Sequence, residues 1–208
     1  MERKKNSKNY PLYEHPDFIN LKQLVVENAI CVPDKSAFQY LAQKRIENVT
    51  YGQFYEDVMN FSLFLRQKGF RDIKIALLGE NSYEWILSYF AVILSGNVIV
   101  PMDRMLPDDE LDGLLAFCDA SVLIHSDMYA DIGRKLLGEG RVWETFNMKD
   151  YPSLLKEGGA VSQAEKDSFR NGEVDADAVC SIIFTSGTTG KPKGVMLSQR
   201  NLMVDATN

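Results

Sequence analysis

Ten consecutive residues, Thr185-Ser186-Gly187-Thr188-Thr189-Gly190-Lys191-Pro192-Lys193-Gly194, hold three Thr, one Ser, three Gly and two Lys. Such a run has nothing to pack in a core. It offers backbone N–H groups at low steric cost, hydroxyl donors and two cations, a set that suits a polyphosphate. An apolar run, Val179 to Phe184, leads into it and reads as a buried strand. A second apolar run, Val195 to Leu197, leaves it, and Ser198 follows as a good helix N-cap.

The spacing excludes two familiar phosphate loops. A Walker A loop needs Lys followed by Ser or Thr and opens straight into a helix. Here Lys191 is followed by Pro192, which has no N–H and disfavours a helical Lys191. The segment therefore reads strand–loop–strand, without help from a helix dipole. The glycines at 187, 190 and 194 do not match the dinucleotide spacing either. A plain Gly/Thr linker accounts poorly for the ordered hydroxyls and the Lys-Pro-Lys-Gly ending.

The ten residues resemble, in full, the phosphate-loop signature of the adenylate-forming superfamily: acyl-CoA synthetases, nonribosomal peptide adenylation domains and luciferases. The flanks resemble it too, with Asp175 and Asp177 ahead of the strand and Gly-Val-Met-Leu-Ser then Arg200-Asn201-Leu202 behind it. Gln199 departs from the pattern, since relatives often carry His there. Ile93 to Asp103 resembles the family's first core motif, with Asn97 in place of a small residue. Val49-Thr-Tyr51 and Gly79 to Trp85 look most like the fatty acyl-CoA ligase branch.

The resemblance implies an ATP-dependent acid–thiol ligase that activates a carboxylic acid, by preference a fatty acid, as acyl-adenylate and passes it to CoA. ATP, Mg2+ and CoA would be its cofactors. Thr185, Ser186, Gly187, Thr188, Thr189, Gly190, Lys191, Lys193 and Gly194 would hold the β- and γ-phosphates, with Thr185 as a Mg2+ ligand. An adenylation domain that loads a carrier protein, or a non-catalytic phosphate-binding or scaffold module, is the alternative. The family's later motifs for adenine, ribose and the catalytic lysine are not found in these residues. Residues 20–208 are thus expected to be the first part of the AMP-binding N-terminal domain, a fragment inactive by itself, with residues 1–19 a flexible arm. Its cut edge would invite self-association. The loop is expected to move unless nucleotide orders it.

The 208 residues are 45% hydrophobic and 25% charged, ordinary for a globular protein, and long enough for one large core or two small ones. A net charge of −6 gives no support to a nucleic-acid partner. The longest apolar patch, Trp85 to Leu94, is interrupted by Ser88 and too short to span a bilayer. Cys31, Cys118 and Cys180 have no paired spacing and read as free thiols, which points to the cytoplasm. His15 and His125 are the two histidines; His125 ends a strand and reads as a packed or surface residue rather than a base. Asp108-Asp109-Glu110 reads as a solvated helix start, and Met102, Met105, Met128, Met148 and Met196 as core filler.

The elements that must position the loop alternate regularly. Asn20 starts a helix with Leu21, Leu24, Val25, Asn28 and Ala29 on one face. Ala37 to Leu41 and Ile46 to Thr50 form a hairpin around Gln43-Lys44-Arg45. Thr50 and Gln53 make a capping box for a helix striped by Phe54, Val58, Phe61 and Leu65 and ended by Gly69. Ile73 to Leu78 is a strand. Asn81 or Ser82 caps a helix facing inward through Trp85, Ile86, Tyr89, Phe90 and Ile93 and ended by Gly96. Val98 to Val100 is a strand ended by Pro101. Pro107 takes the first position of a helix with Leu111, Leu114, Leu115 and Cys118 inward. Ser121 to His125 is a strand and Tyr129 to Leu137 a helix closed by Gly138. From 139 to 177 the pattern weakens, with turns at Glu157-Gly-Gly159 and Asn171-Gly172 and two short helices. Uniformly apolar strands alternating with amphipathic helices predict an α/β, doubly wound, mostly parallel sheet covered on both faces.

Overall fold

The computed structural model describes residues 18–42, 44–185 and 192–207. The expected arm up to residue 17, His15, Gln43 and the loop residues Ser186 to Lys191 lie outside the described residues. Phe18 packs against the core.

Helix α1 (Leu21–Cys31) is capped by Asn20, whose side chain accepts from the Gln23 N–H. Strands β1 (Ser36–Ala42) and β2 (Arg45–Thr50) form an antiparallel hairpin. Helix α2 (Tyr51–Gln67) starts at Thr50, whose hydroxyl accepts from the Gln53 N–H. The reciprocal half of the expected capping box is not made, because the Gln53 carboxamide donates to Asp57 instead. The chain then runs β3 (Lys74–Leu78), α3 (Tyr83–Leu94, capped by Ser82), β4 (Val98–Pro101), α4 (Asp108–Cys118) and β5 (Val122–His125). After it come α5 (Ala130–Gly138), β6 (Glu144–Asn147), α6 (Tyr151–Gly159), α7 (Gln163–Asn171), β7 (Val179–Thr185), β8 (Lys193–Ser198) and α8 (Gln199–Thr207).

Six strands make one sheet in the order β6-β5-β3-β4-β7-β8. All neighbours are parallel except β7 and β8, which are antiparallel. Period-2 alternation splits each strand between two cores. Ile75 and Leu77 of β3, Ile99 of β4, and Val122 and Ile124 of β5 face a core shared with α1, α2, α3 and α7. Ala76, Leu78, Val100 and Leu123 face a second core under α4 and α5. Because both faces are dry, the strands carry no alternation of polarity, which is why they read as continuous apolar runs. The α/β architecture is therefore the expected one.

Several local expectations need correction. Pro107 is the N-cap of α4, not its first residue, with its ψ of 153° still extended. Helix α5 runs through Gly138 and is ended by Gly140, where φ is +66° and a side chain would be strained. Strand β6 was not legible, because Glu-Thr-Phe-Asn has only Phe146 to bury. Gly158 and Gly159 lie in α6 and not in a turn. On α3 the buried residues are Leu87, Ser88, Ala91, Val92, Leu94 and, as expected, Ile93, whereas Trp85, Ile86, Tyr89 and Phe90 are half-buried. That helix is apolar all round, so periodicity cannot choose its inner face. Met102 and Met148 are buried, but Met105, Met128 and Met196 are exposed and fill no core.

Gly158 explains how α6 packs. An added Cβ there would fall 1.9 Å from the Asn60 carbonyl oxygen and 2.9 Å from the Phe64 Cβ of α2. The two helices touch backbone to backbone, so the glycine is a packing residue. Gly158→Ala should destabilise the chain by about 1–3 kcal/mol or more through overpacking. Gly113→Ala, exposed on α4 with nothing within 4 Å of the new methyl, should stabilise it by about 0.5–1 kcal/mol. Urea midpoints of the two variants moving the same way would contradict this.

Lys22 is an ionisable group in the first core, 8% exposed. Its ammonium donates to the Gly172 carbonyl at 2.6 Å and lies 5.3 Å from the centre of the Phe169 ring, on which Arg66 also rests at 4.9 Å. Burial, then repulsion from Arg66, lowers its pKa from 10.5 to about 8. Below pH 8 both folded and unfolded chains hold this proton, and the folded state bears the whole burial cost. Between about 8 and 10.5 the folded chain has released it while the unfolded chain keeps it, so stability rises with pH. Wild-type stability relative to Lys22→Met should therefore climb across that window and level off above it. Paired thermal melts that keep a constant difference from pH 7 to 11 would refute the assignment.

Candidate functional site

The candidate residues sit where β7 turns back into β8. Thr185 pairs with Lys193, and Phe184 with Gly194, at the open end of this antiparallel pair. Thr185, Lys193 and Gly194 are all exposed. The strand–loop–strand expectation holds for both described flanks, and the structure brings Thr185 and Lys193 together. Six of the nine predicted residues, Ser186, Gly187, Thr188, Thr189, Gly190 and Lys191, lie outside the described residues.

Gly194 has a steric reason to be glycine. A Cβ there would fall 3.0 Å from the Ile182 Cγ2 and 3.4 Å from the Phe184 ring. Ile182 and Phe184 pack against the α4 core, and Phe184 meets Phe117 edge-on at 6.0 Å. Bulk from β7 therefore covers the start of β8, and the chain leaving the loop lies close over it.

The foot of the pair is pinned at several points. Strand β7 joins the parallel sheet at Ser181, paired with Ile99 of β4. The Tyr89 hydroxyl of α3 donates to the Ser181 Oγ at 3.1 Å. Cys180 is buried, and burial pushes its thiol up to about 11, so it stays protonated and inert at neutral pH. Cys118 is likewise raised by burial, while Cys31 is exposed; all three are free thiols.

At the other end of β8, Ser198 and Asn201 cap α8 reciprocally. The Ser198 Oγ accepts from the Asn201 N–H at 3.2 Å, and the Asn201 side chain accepts from the Ser198 N–H at 3.0 Å. Arg200 grips Asp177 with two hydrogen bonds of 2.6 and 2.9 Å, which lowers the carboxyl and raises the guanidinium. Being exposed, that pair positions more than it stabilises.

Gln199 and Asn97, the two departures from the family pattern, both turn out to be buried hydrogen-bonding residues. Gln199 is 5% exposed, and its carbonyl oxygen accepts from the Leu21 N–H at 3.0 Å, 178 residues away in sequence. It supplies a partner to one of the free N–H groups that open α1. Asn97 accepts from the Ile73 N–H and donates to the Phe70 carbonyl and the Ser95 Oγ, stapling the segments that enter β3 and β4. Neither role has a sequence signal, because every partner but Ser95 is distant in the chain.

The remaining candidates are structural. His125 is buried, with Nδ1 2.9 Å from the Ser126 carbonyl and its ring against Gly133. Asp109 and Glu110 are exposed at the start of α4. Among the described residues, no group of three or more His, Cys, Asp or Glu is placed to hold a metal ion, and no helix is long and apolar enough to cross a membrane.

Comparison with known proteins agrees with this fold. The family model described as AMP-binding enzyme matches residues 26–208. The feruloyl-CoA synthase of Amycolatopsis sp is 34% identical over 161 residues, covering 77% of this chain and 30% of that protein. A chloroplastic long-chain fatty acid–acyl carrier protein ligase of Arabidopsis thaliana is 30% identical over 179 residues, covering 74% of this chain and 25% of that one. Among solved structures, a fatty acyl CoA synthetase of Mycobacterium tuberculosis superposes with a TM-score of 0.72 at 22% identity, over 87% of this chain and 35% of that one. A fatty acyl-adenylate ligase from L. pneumophila, solved with acyl adenylate and pyrophosphate, gives 0.69 at 18%, over 90% and 32%. These last two identities speak for the fold alone. The chain spans less than a third of each curated relative named here. By its family match and its fold, the chain belongs to the AMP-binding enzymes, the adenylate-forming ligases that include acyl-CoA synthetases.

Proposed function

We propose that the Thr185–Gly194 turn holds the β- and γ-phosphates of ATP in a ligase that activates a carboxylic acid. The observation that carries this is the pairing of Thr185 with Lys193 at the exposed end of β7 and β8, which gathers a hydroxyl and a cation at the mouth of a Gly-rich loop. A carboxylate oxygen of the acid would attack the α-phosphorus of ATP. The bond from that phosphorus to the bridging oxygen breaks, and pyrophosphate leaves. A thiol, CoA by preference, would then attack the acyl carbonyl carbon and release AMP. In that scheme Lys193 and the loop N–H groups neutralise charge that builds up on the departing pyrophosphate.

Thr185 would be one ligand for Mg2+, which would supply positive charge to offset that of the phosphates. A fatty or aromatic acid is the substrate class we favour, because the relatives include feruloyl-CoA and fatty acid ligases. The 208 residues by themselves are proposed to bind Mg-ATP weakly and not to turn over, since the sequence has no aromatic-Gly-x-Thr-Glu segment for the adenine side. Phosphate contacts left open to water are worth far less than in a closed site. The three free thiols fit a reducing compartment, and the cytoplasm is the one we favour.

Pyrophosphate exchange, run in a longer protein that carries this segment, tests the assignment. Lys193→Ala and Thr185→Ala should each slow exchange about a hundredfold. Both side chains are exposed, so melting temperatures should stay within about a degree or two of wild type. Undiminished exchange, or a loss matched by a collapsed melting temperature, would overturn it.

A further inference from the structure

A cavity of about 320 Å³ opens between α1 and the chain at the end of α7, with Lys22, Val26 and Glu27 on one wall and Arg170, Gly172 and Glu173 on the other. Arg170, Gly172 and Glu173 are exposed, so the cavity communicates with solvent. Lys22 is its buried member, and the Gly172 carbonyl accepts from its Nζ at 2.6 Å. The other neighbour of that nitrogen is the Phe169 ring. None of the carboxylates among the described residues forms an ion pair with Lys22. Glu27, on the same wall, accepts instead from the Gln23 carboxamide at 2.8 Å.

The charges around Lys22 work against its proton. Arg66 of α2 rests on the same Phe169 ring, and Arg170 of α7 stands on the facing wall. Glu27 and Glu173 are the acids of the cavity, and neither offsets the burial of the ammonium, which together with Arg66 brings Lys22 down to about 8. At pH 7.5 about a quarter of such amines are neutral, against about one in a thousand at the ordinary lysine value. A less basic amine is a weaker nucleophile, so the net gain in reactivity is on the order of tenfold if amines follow the slope known for thiols.

We propose that Lys22 is a site of Nζ acylation by acyl phosphates, the mixed anhydrides of a carboxylic and a phosphoric acid, with the cavity admitting a short acyl chain. The lone pair of the neutral amine attacks the acyl carbonyl carbon. The bond from that carbon to the phosphate oxygen breaks, phosphate departs, and the nitrogen gives a proton to water. Arg170, exposed and without an ion pair among the described residues, offers the departing phosphate a countercharge. The amide that forms has no charge to bury and keeps one N–H for the Gly172 carbonyl, so the reaction relieves the burial that disfavours the ammonium. An acyl-adenylate belongs to the same class of reagent, but the modification does not depend on the phosphate-loop reading, because a synthetic acyl phosphate serves equally.

The 208-residue chain is incubated with acetyl phosphate, and acetylation of each lysine is followed by mass spectrometry of its peptides. Near neutral pH, Lys22 should react about tenfold faster than the exposed Lys35 and Lys156. Its rate should level off above about pH 8, while theirs continue to climb. In concentrated urea the advantage should vanish, because the fold creates it. Val26→Glu places a carboxylate one helical turn from Lys22 on the cavity wall and should slow Lys22 to the rate of the exposed lysines, whereas Val26→Gln should not. The proposal is overturned if native Lys22 reacts no faster than Lys35 and Lys156, or if its advantage survives in urea. It is also overturned if the Val26→Glu chain acetylates Lys22 as fast as wild type.

Discussion

Strand β7 lies beside β4, and the candidate site depends on that pairing. The parallel join at Ile99 and Ser181 fixes the strand that carries the loop to a sheet whose two faces are both buried. A sheet of that kind has no room for polar side chains along its strands, so chemistry is moved to the strand ends. Thr185 is the exposed last residue of β7, and Lys193, where the chain returns as β8, stands exposed beside it. The antiparallel return makes β8 the edge strand of an otherwise parallel sheet, and Pro192 is consistent with it, since a proline there opposes a helix after the loop.

The body around this hairpin is held by a few buried polar contacts placed between distant segments. Gln199 satisfies the start of α1, Asn97 ties together the segments entering β3 and β4, and Arg66 reaches the carbonyls of Leu94 and Ser95 at the end of α3. Tyr151, fully buried, shares a hydrogen bond with Ser88, and burial drives its phenol further from ionisation. Each such group would cost about 1–3 kcal/mol if left without a partner, so together they penalise alternative packings of the same apolar faces. Lys22 is the exception, because its ammonium has a carbonyl and an aromatic ring but no carboxylate to offset its burial.

The two hairpins of the chain are used differently. The one formed by β7 and β8 is built into the main sheet and carries polar and cationic residues at its tip. The β1–β2 hairpin stands apart from that sheet and is fastened through one face, by Phe38 and Tyr40 of β1 and the buried Val49 of β2. An isolated pair of strands is marginal in water, so the aromatic contacts with α2 and α3 supply the support that a third strand would give. On its other face Leu41 pairs with Ile46, and both are exposed.

Sequence alone determined what depends on neighbours in the chain. The loop composition, the apolar runs of β3, β4, β5 and β7, and the caps at Asn20, Thr50 and Ser198 were legible because each rests on contacts a few residues apart, and the cap of α3 was narrowed to Asn81 or Ser82. The family, too, was legible from the ten-residue signature. Tertiary structure decided the rest. It set the strand order, and it chose Leu87, Ala91 and Val92 rather than Trp85 and Tyr89 as the buried side of α3. It also made Gly158 a contact with α2 instead of a turn, and made a strand of Glu144–Asn147 only because β5 lies alongside. Gln199 shows the reason most plainly. In the sequence it was only a departure from the family pattern beside the signature, whereas in the fold its carbonyl oxygen serves an N–H 178 residues away, a partner that no local pattern can name.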